Sequence, residues 1–166
     1  MFDGFCSFDI SLLYFCSSIN LTFLNLMIKE IAPNDAFIAL KSGNSVLVDV
    51  RTDAEFAFVG QVDLDSIDNS AILLPWKIFP AMAINPRFQI SLEKILQERF
   101  KERYKEIALI FMCRSGARSY EAASYMTSFG YNCYNLINGF EGDIDSFSKR
   151  GNINGWKAAN LPWRQQ

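Results

Sequence analysis

One cysteine sits where a thiolate would be stabilised. Ile107 to Met112 is an apolar run that ends on Cys113, and Arg114-Ser115-Gly116-Ala117-Arg118 follows as a loop of small and basic residues. Ser119 then opens a stretch with helical spacing. A strand that delivers a cysteine to a helix start puts its sulfur at the positive end of the helix dipole. The first N–H groups there have no partner inside the helix. A loop closing around the sulfur aims further N–H groups at it and forms an anion-binding nest. Arg114 and Arg118 add two positive charges. Such surroundings favour the thiolate, which is the nucleophilic form of cysteine.

Composition removes most other chemistries. The chain has no histidine, which excludes a histidine base, a Ser-His-Asp triad and a histidine-ligated metal. Its four cysteines, Cys6, Cys16, Cys113 and Cys133, show no CxxC spacing, so neither a zinc site nor a disulfide framework is indicated. Asp63, Asp65 and Asp68 alternate but lack the closing Glu and the Gly of a calcium loop. No metal and no cofactor are expected. The net charge of −2 leaves no basic footprint for nucleic acid. A free reactive thiol suits a reducing compartment, and the cytoplasm is the expected location.

The 166 residues are half apolar and one-fifth charged, which fits one globular domain with a real core. Short apolar runs at Leu26–Ile31, Val46–Val50, Ala71–Leu74, Ile107–Met112 and Tyr131–Ile137 read as strands. Helical patterns lie between them. One opens at Pro33 and runs to Lys41, with proline in the first turn. Another runs from Leu92 to Tyr104 behind Ser91 as cap. A third runs from Arg118 to Phe129, with Tyr125 and Phe129 on its inner face, and Gly130 stops it. Asn138–Gly142 is expected to turn into a short helix, and two tryptophans, Trp156 and Trp163, imply that the tail docks. Strands alternating with helices argue for an α/β fold with a parallel sheet covered on both faces. Ligands then bind at the carboxyl ends of the strands. Cys113 lies at one such end, and Asp49 and Arg51 at another.

Thr52 and Glu55 form a capping box after the second strand. Asp49, Arg51 and Glu55 read as a salt-bridged structural brace, with Arg51 near enough to Glu55 to pair. Carboxylates beside a working thiolate would otherwise oppose its ionisation. Residues 1–25 are an apolar extension ahead of the domain at 26–166. From Ile10 to Ile28 there is no charge, a length close to a membrane span. Six Ser, Asn and Thr residues dilute it, and Asp3 and Asp9 stand where a signal peptide would be basic. A docked apolar element or a segment upstream of the functional start therefore takes precedence over an anchor through residues 10–28.

Three stretches resemble the rhodanese-like sulfurtransferase family. Leu47-Val48-Asp49-Val50-Arg51 with Glu55 is similar to its first signature. Cys113-Arg114-Ser115-Gly116-Ala117-Arg118-Ser119 resembles its active-site loop, and Asn138-Gly139-Phe140-Glu141-Gly142 with Gly155–Pro162 resembles its C-terminal end. The family's Gly-His-Ile motif is replaced by Gly60-Gln61-Val62. The resemblance implies a three-layer fold around a central, mostly parallel five-stranded sheet. It implies sulfur transfer through a persulfide on Cys113, from a small anionic donor such as thiosulfate to cyanide or a thiol, including the thiol of an acceptor protein. In that scheme the N–H groups of residues 114–118 hold the persulfide. Arg114 and Arg118 attract the donor and balance its leaving group, or Arg118 braces the loop from inside. Ser115 and Ser119 donate hydrogen bonds, and Gly116 permits a backbone geometry that a Cβ would hinder.

Three other readings share this loop. A cysteine phosphatase or arsenate reductase needs a wider cradle, with arginine six positions after the cysteine; here Arg118 is five positions on and the sixth is Ser119. A non-catalytic binding module of the family usually lacks the cysteine. A persulfide carrier needs the same loop as the enzyme.

Overall fold

Val46-Leu47-Val48 and Leu109-Ile110-Phe111 are apolar at every position, so each run must bury both of its faces. The computed structural model describes residues 28–165 and shows how. In chain order it contains β1 (Lys29–Ile31), α1 (Pro33–Lys41), β2 (Ser45–Asp49), α2 (Asp53–Phe58), β3 (Gln61–Val62), β4 (Ile72–Leu73), β5 (Lys77–Ile78), β6 (Ala83–Ile84), α3 (Phe88–Phe100), β7 (Ala108–Met112), α4 (Ala117–Thr127), β8 (Cys133–Leu136), α5 (Gly155–Ala158) and β9 (Trp163–Arg164). Five strands make one sheet in the order β1-β8-β7-β2-β4, with every pair parallel.

The period of two sorts the inner strands into two layers. Val46, Val48, Leu109 and Phe111 face a core completed by Phe88, Leu92 and Leu96 of α3 and by Ala122, Ala123 and Met126 of α4. Leu47, Ile110 and Met112 face the opposite core, with Ala36 and Leu40 of α1, Phe140 and Trp156. The fold is therefore the expected three-layer α/β architecture.

The strand order also creates the crevice. The chain leaves β2 toward β4 on one side of the sheet, and leaves β7 toward β8 on the other. Asp49 and Met112 lie in register at the carboxyl ends of these neighbours. Diverging connections at adjacent strand ends open a cleft for a ligand.

Several expectations shift. Ser91 is not a cap: α3 begins at Phe88, and the Ser91 N–H bonds to Arg87 O inside the helix. Phe88 is fully buried against Trp76 and Phe111, worth about 2 kcal/mol. That packing pulls the helix start four residues ahead of Leu92, where the serine signal puts it. The helix also ends at Phe100, and a 3-10 turn covers Lys101–Lys105. Tyr125, on α4, and Phe129, just past its end, are exposed rather than inward and meet edge to face. Asn138–Gly142 remains a turn, because its backbone is tied to the loop after β7; the short helix forms later, at Gly155–Ala158. Trp156 is buried as expected, whereas Trp163 sits half-exposed in β9, paired antiparallel with β3. Phe79–Arg87, with two prolines, carries no periodic pattern in the sequence, yet its first part closes the β5–β6 hairpin, Lys77 opposite Ile84 and Ile78 opposite Ala83.

Residues 1–25 and the charge-free stretch up to Met27 lie outside the described residues. Among the described residues no helix is long and apolar enough to cross a membrane.

Candidate active site

Strand β7 carries Cys113 to its carboxyl end, where the side chain is only 1% exposed. The loop folds back over the sulfur. The Gly116 N–H donates to Cys113 Sγ at 3.2 Å, and Ser119 Oγ lies 3.4 Å from the same atom. Gly116 caps α4 with φ of 105°, a conformation that L side chains rarely adopt. Space alone would admit a Cβ there, so backbone conformation is what calls for glycine.

A second turn seats the loop. Cys113 O accepts from Phe140 N at 2.8 Å, and Arg114 O accepts from Glu141 N at 2.9 Å. Gly139 allows this approach: a Cβ on it would stand 2.3 Å from Cys113 O. With these carbonyls turned away toward residues 140 and 141, the loop presents the Gly116 N–H to the sulfur.

Arg118 and Glu55 close the loop from outside. Arg118 Nη1 and Nη2 donate to Glu55 Oε2 and Oε1 at 2.7 and 2.6 Å. Glu55 Oε2 also accepts from Thr52 N and Thr52 Oγ1, both at 2.9 Å, which completes the expected capping box. Burial pushes the Glu55 carboxyl up, but the hydrogen bonds from Arg118 and Thr52 outweigh it and hold the group at about 2. The hydrogen bonds to Glu55 push Arg118 further above its ordinary value. The starts of α2 and α4 are thus pinned together, and the Glu55 carboxylate is paired with a positive charge.

Arg51 does not reach Glu55 for an ion pair. Fully buried, it pairs instead with Asp49, Nη2 to Oδ2 at 2.6 Å, and donates to Gly60 O at 2.8 Å. Its guanidinium stacks over the Phe140 ring at 4.2 Å. Burial pushes the Asp49 carboxyl up, opposed by the Arg51 charge. This pair ties the end of β2 to the Gly60 loop and to Phe140, which in turn seats Cys113.

Of the other loop residues, Arg114 and Ala117 are exposed, and Ser115 is half-buried. Arg114, Arg118, Thr52, Ala54 and Glu55 line an open cleft of about 360 Å³ with Phe79 and Met82 of the β5–β6 hairpin.

Sequence reasoning missed Asn135, a buried polar residue inside β8. Its Oδ1 lies 2.7 Å from Ser119 Oγ, and Gly116 O lies 3.0 Å from that hydroxyl. A polar residue within an apolar strand was the available signal. Cys133, also in β8, is buried away from the loop, and burial pushes its thiol up to about 11.

A compact nest around a single sulfur is what the arrangement offers, with charge supplied at the rim rather than against the cysteine. Known proteins agree with the fold that carries it. The chain is 33% identical over 141 residues to the uncharacterized protein RP600 of Rickettsia prowazekii, covering 84% of this chain and 99% of that protein. The crystal structure of Rv0390 from M. tuberculosis superposes with a TM-score of 0.71 at 37% identity, covering 83% of this chain and 98% of that one. A thiosulfate sulfurtransferase from Pseudomonas aeruginosa shares the fold at 15% identity, with a TM-score of 0.50 over 84% of this chain and 20% of that one. The family model for the rhodanese-like domain matches residues 34–145, from α1 through the loop of Cys113 to the turn that seats it, and the chain therefore belongs to the rhodanese-like domain family.

Proposed function

We propose that this chain is a sulfurtransferase that moves a sulfane sulfur from an anionic donor to a thiophilic acceptor through a persulfide on Cys113. The observation that carries the reading is the nest: a buried cysteine whose sulfur is held by the Gly116 N–H at 3.2 Å and faced by the Ser119 hydroxyl at 3.4 Å.

With thiosulfate, the Cys113 thiolate attacks the outer sulfur of the donor. The S–S bond of the donor breaks, a new S–S bond forms on Cys113, and sulfite leaves with the electron pair. Cyanide or a thiolate then attacks the outer sulfur of the persulfide, and Cys113 departs as thiolate. Two displacements replace one difficult transfer. Neither requires a proton to be removed by a side chain, which suits a chain without histidine. Arg114, exposed at the cleft, attracts the anionic donor and offsets charge on the departing sulfite. Arg118 keeps the loop closed through Glu55. The tight five-residue loop favours one sulfur atom over a tetrahedral phosphate. A reducing compartment such as the cytoplasm would keep the thiol free.

Mass spectrometry of the intact protein after exposure to thiosulfate tests this directly. The expected result is a gain of one sulfur atom that disappears on adding cyanide, together with thiocyanate production. Cys113→Ser abolishes both. Turnover that survives in this variant would show that another group is the nucleophile.

A further inference from the structure

At the amino end of the sheet, opposite the end that carries Cys113, small side chains stand where a helix must cover two strands. Ser45 of β2 and Ala108 of β7 are register partners. Both face the α1 side, as do Leu47 and Ile110 two residues on. Above them α1 contributes Ala39 in its last turn and ends at Lys41. Side chains this short do not fill the space between a helix and a sheet. A recess of about 240 Å³ remains, with Ile31, Ile110 and Tyr134 as its larger walls. Ala108 precedes Cys113 by five residues, about 16 Å at the rise of a strand, so the recess is separate from the cleft at the cysteine.

The polar groups around it differ in one respect. Ser42 and Asn44 are exposed and complete the lining, and their oxygens are engaged. Ser42 Oγ donates to Ala39 O at 2.7 Å and accepts from Asn44 N at 3.3 Å, and Asn44 Oδ1 accepts from Arg103 Nη2 at 2.9 Å. Tyr134 brings its ring, with the Lys29 ammonium 5.3 Å from the ring centre and donating to Asn132 Oδ1. Ser45 lines the recess and is only 5% exposed, yet its Oγ has no hydrogen-bond partner among the described residues. A buried hydroxyl without a partner is costly, and what fills the recess can supply one.

The lining sets the chemistry of the occupant. Among the described residues no Asp, Glu, Lys or Arg lines the recess, so an ion there would lose its hydration without a counter-charge. Water would serve Ser45 but would leave Ile31, Ile110 and the Tyr134 ring wetted. A hydrocarbon would cover those walls and leave Ser45 unsatisfied. An apolar protein cavity of about 150 Å³ holds benzene, so this recess has room for two fused rings. We propose that it is a binding site for a small uncharged aromatic molecule of one or two rings, whose single polar group hydrogen-bonds to Ser45 Oγ. Such a ligand is unlike the anionic sulfur donor and binds at the other end of the sheet.

The test titrates the full nitrogen-15-labelled chain with indole, with indene (the same shape with CH2 for N–H), and with benzamide and benzoate. Indole is expected to shift the amide signals of Ser45, Ala108, Ile110 and Tyr134 saturably, with a Kd below about 1 mM. Benzamide is expected to bind about tenfold more tightly than benzoate. Ser45→Ala is expected to reduce the preference for indole over indene about fivefold. Ala108→Leu fills the recess from the sheet and Ala39→Leu from the helix. Each is expected to abolish binding, and the dispersion of its spectrum reports whether the fold is kept, so either variant alone suffices. No saturable shift up to the solubility limit leaves a hydrated recess and overturns the site. So do shifts that map elsewhere or survive in a folded filling variant. Benzoate matching benzamide overturns the uncharged class, and an unchanged preference in Ser45→Ala overturns the bond to the hydroxyl.

Discussion

Arg118 grips the Glu55 carboxylate with both terminal nitrogens, at 2.6 and 2.7 Å, and so joins the first turn of α4 to the first turn of α2. An arginine already engaged in this way acts on the loop more than on the substrate. The planar fork is what the geometry uses, and lysine does not reproduce it. Arg118→Lys is therefore expected to slow persulfide formation at saturating thiosulfate about tenfold, with little change in the KM for thiosulfate. Single-turnover kinetics followed by intact mass separates the two parameters. A raised KM with an unchanged maximal rate would assign Arg118 to donor binding instead.

The same ion pair sets an acid limit on stability. The Glu55 carboxyl is held at about 2 in the folded chain against 4.5 for its ordinary value. In the interval between, the unfolded chain binds more protons than the folded one, so stability rises with pH there. The contribution is complete above about pH 5 and is lost as pH falls toward 2, with a magnitude of about 2–3 kcal/mol. Glu55→Gln removes it. Urea denaturation of wild type and variant is expected to show a stability gap that is constant near neutrality and narrows steadily below about pH 4.5. A gap independent of pH would mean that the cap, not the charge, is what Glu55 supplies.

Gly139 holds a position where a methyl group has nowhere to go. A Cβ there meets Cys113 O at 2.3 Å and Arg114 C and O at 2.9 Å, all of them backbone. The residue also has φ of 55°. Gly139→Ala is expected to cost about 2–4 kcal/mol, part from the left-handed backbone and part from the displaced loop. Gly130 provides the internal comparison, since its φ is 81° but its Cβ direction is open. Gly130→Ala is expected to cost about 1–2 kcal/mol and leave sulfur transfer intact. Thermal melts and persulfide loading of the two variants make the comparison. Equal melting temperatures would remove the close approach from the account.

The difference between Gly116 and Gly139 shows what a sequence can and cannot disclose. Gly116 is legible because its neighbours, Cys113 and the start of a helical pattern, state the geometry it must serve. Gly139 serves a contact with a loop far away in the chain, and no local spacing encodes that. The same holds for Arg51 and Glu55. Their types announced ion pairs, but which partner each takes depends on how far α4 is carried toward α2, so Arg51 turns to Asp49 and Glu55 to Arg118. The strands β2 and β7 are plain because their centres, Val46-Leu47-Val48 and Leu109-Ile110-Phe111, hold no polar residue and can only be interior. The paired segments β3–β9 and β5–β6 are two residues long on each side, too short to leave a period. The start of α3 went astray because Ser91 is a good cap in isolation, while burial of Phe88 is a tertiary effect that outweighs it.

Ser119 has one hydroxyl proton and three acceptors within reach: Asn135 Oδ1 at 2.7 Å, Gly116 O at 3.0 Å and Cys113 Sγ at 3.4 Å. With a neutral sulfur the two oxygens hold the stronger claim. A charged sulfur changes the order, because hydrogen bonds to an ion are roughly twice as strong as neutral ones. Ser119 can then turn toward the thiolate or the persulfide and stabilise the form that reacts. Ser119→Ala is expected to slow persulfide formation about tenfold, the value of one charge-assisted bond set against its neutral alternative. Asn135→Asp keeps the shape but offers the hydroxyl a charged oxygen that competes with the sulfur, and it adds a negative charge near the thiolate. It is expected to slow loading at least as much, although the serine is intact. Measured side by side from about pH 6 to 9, the two variants decide the point. A fast Asn135→Asp protein would mean that the serine never turns to the sulfur and only ties α4 to β8.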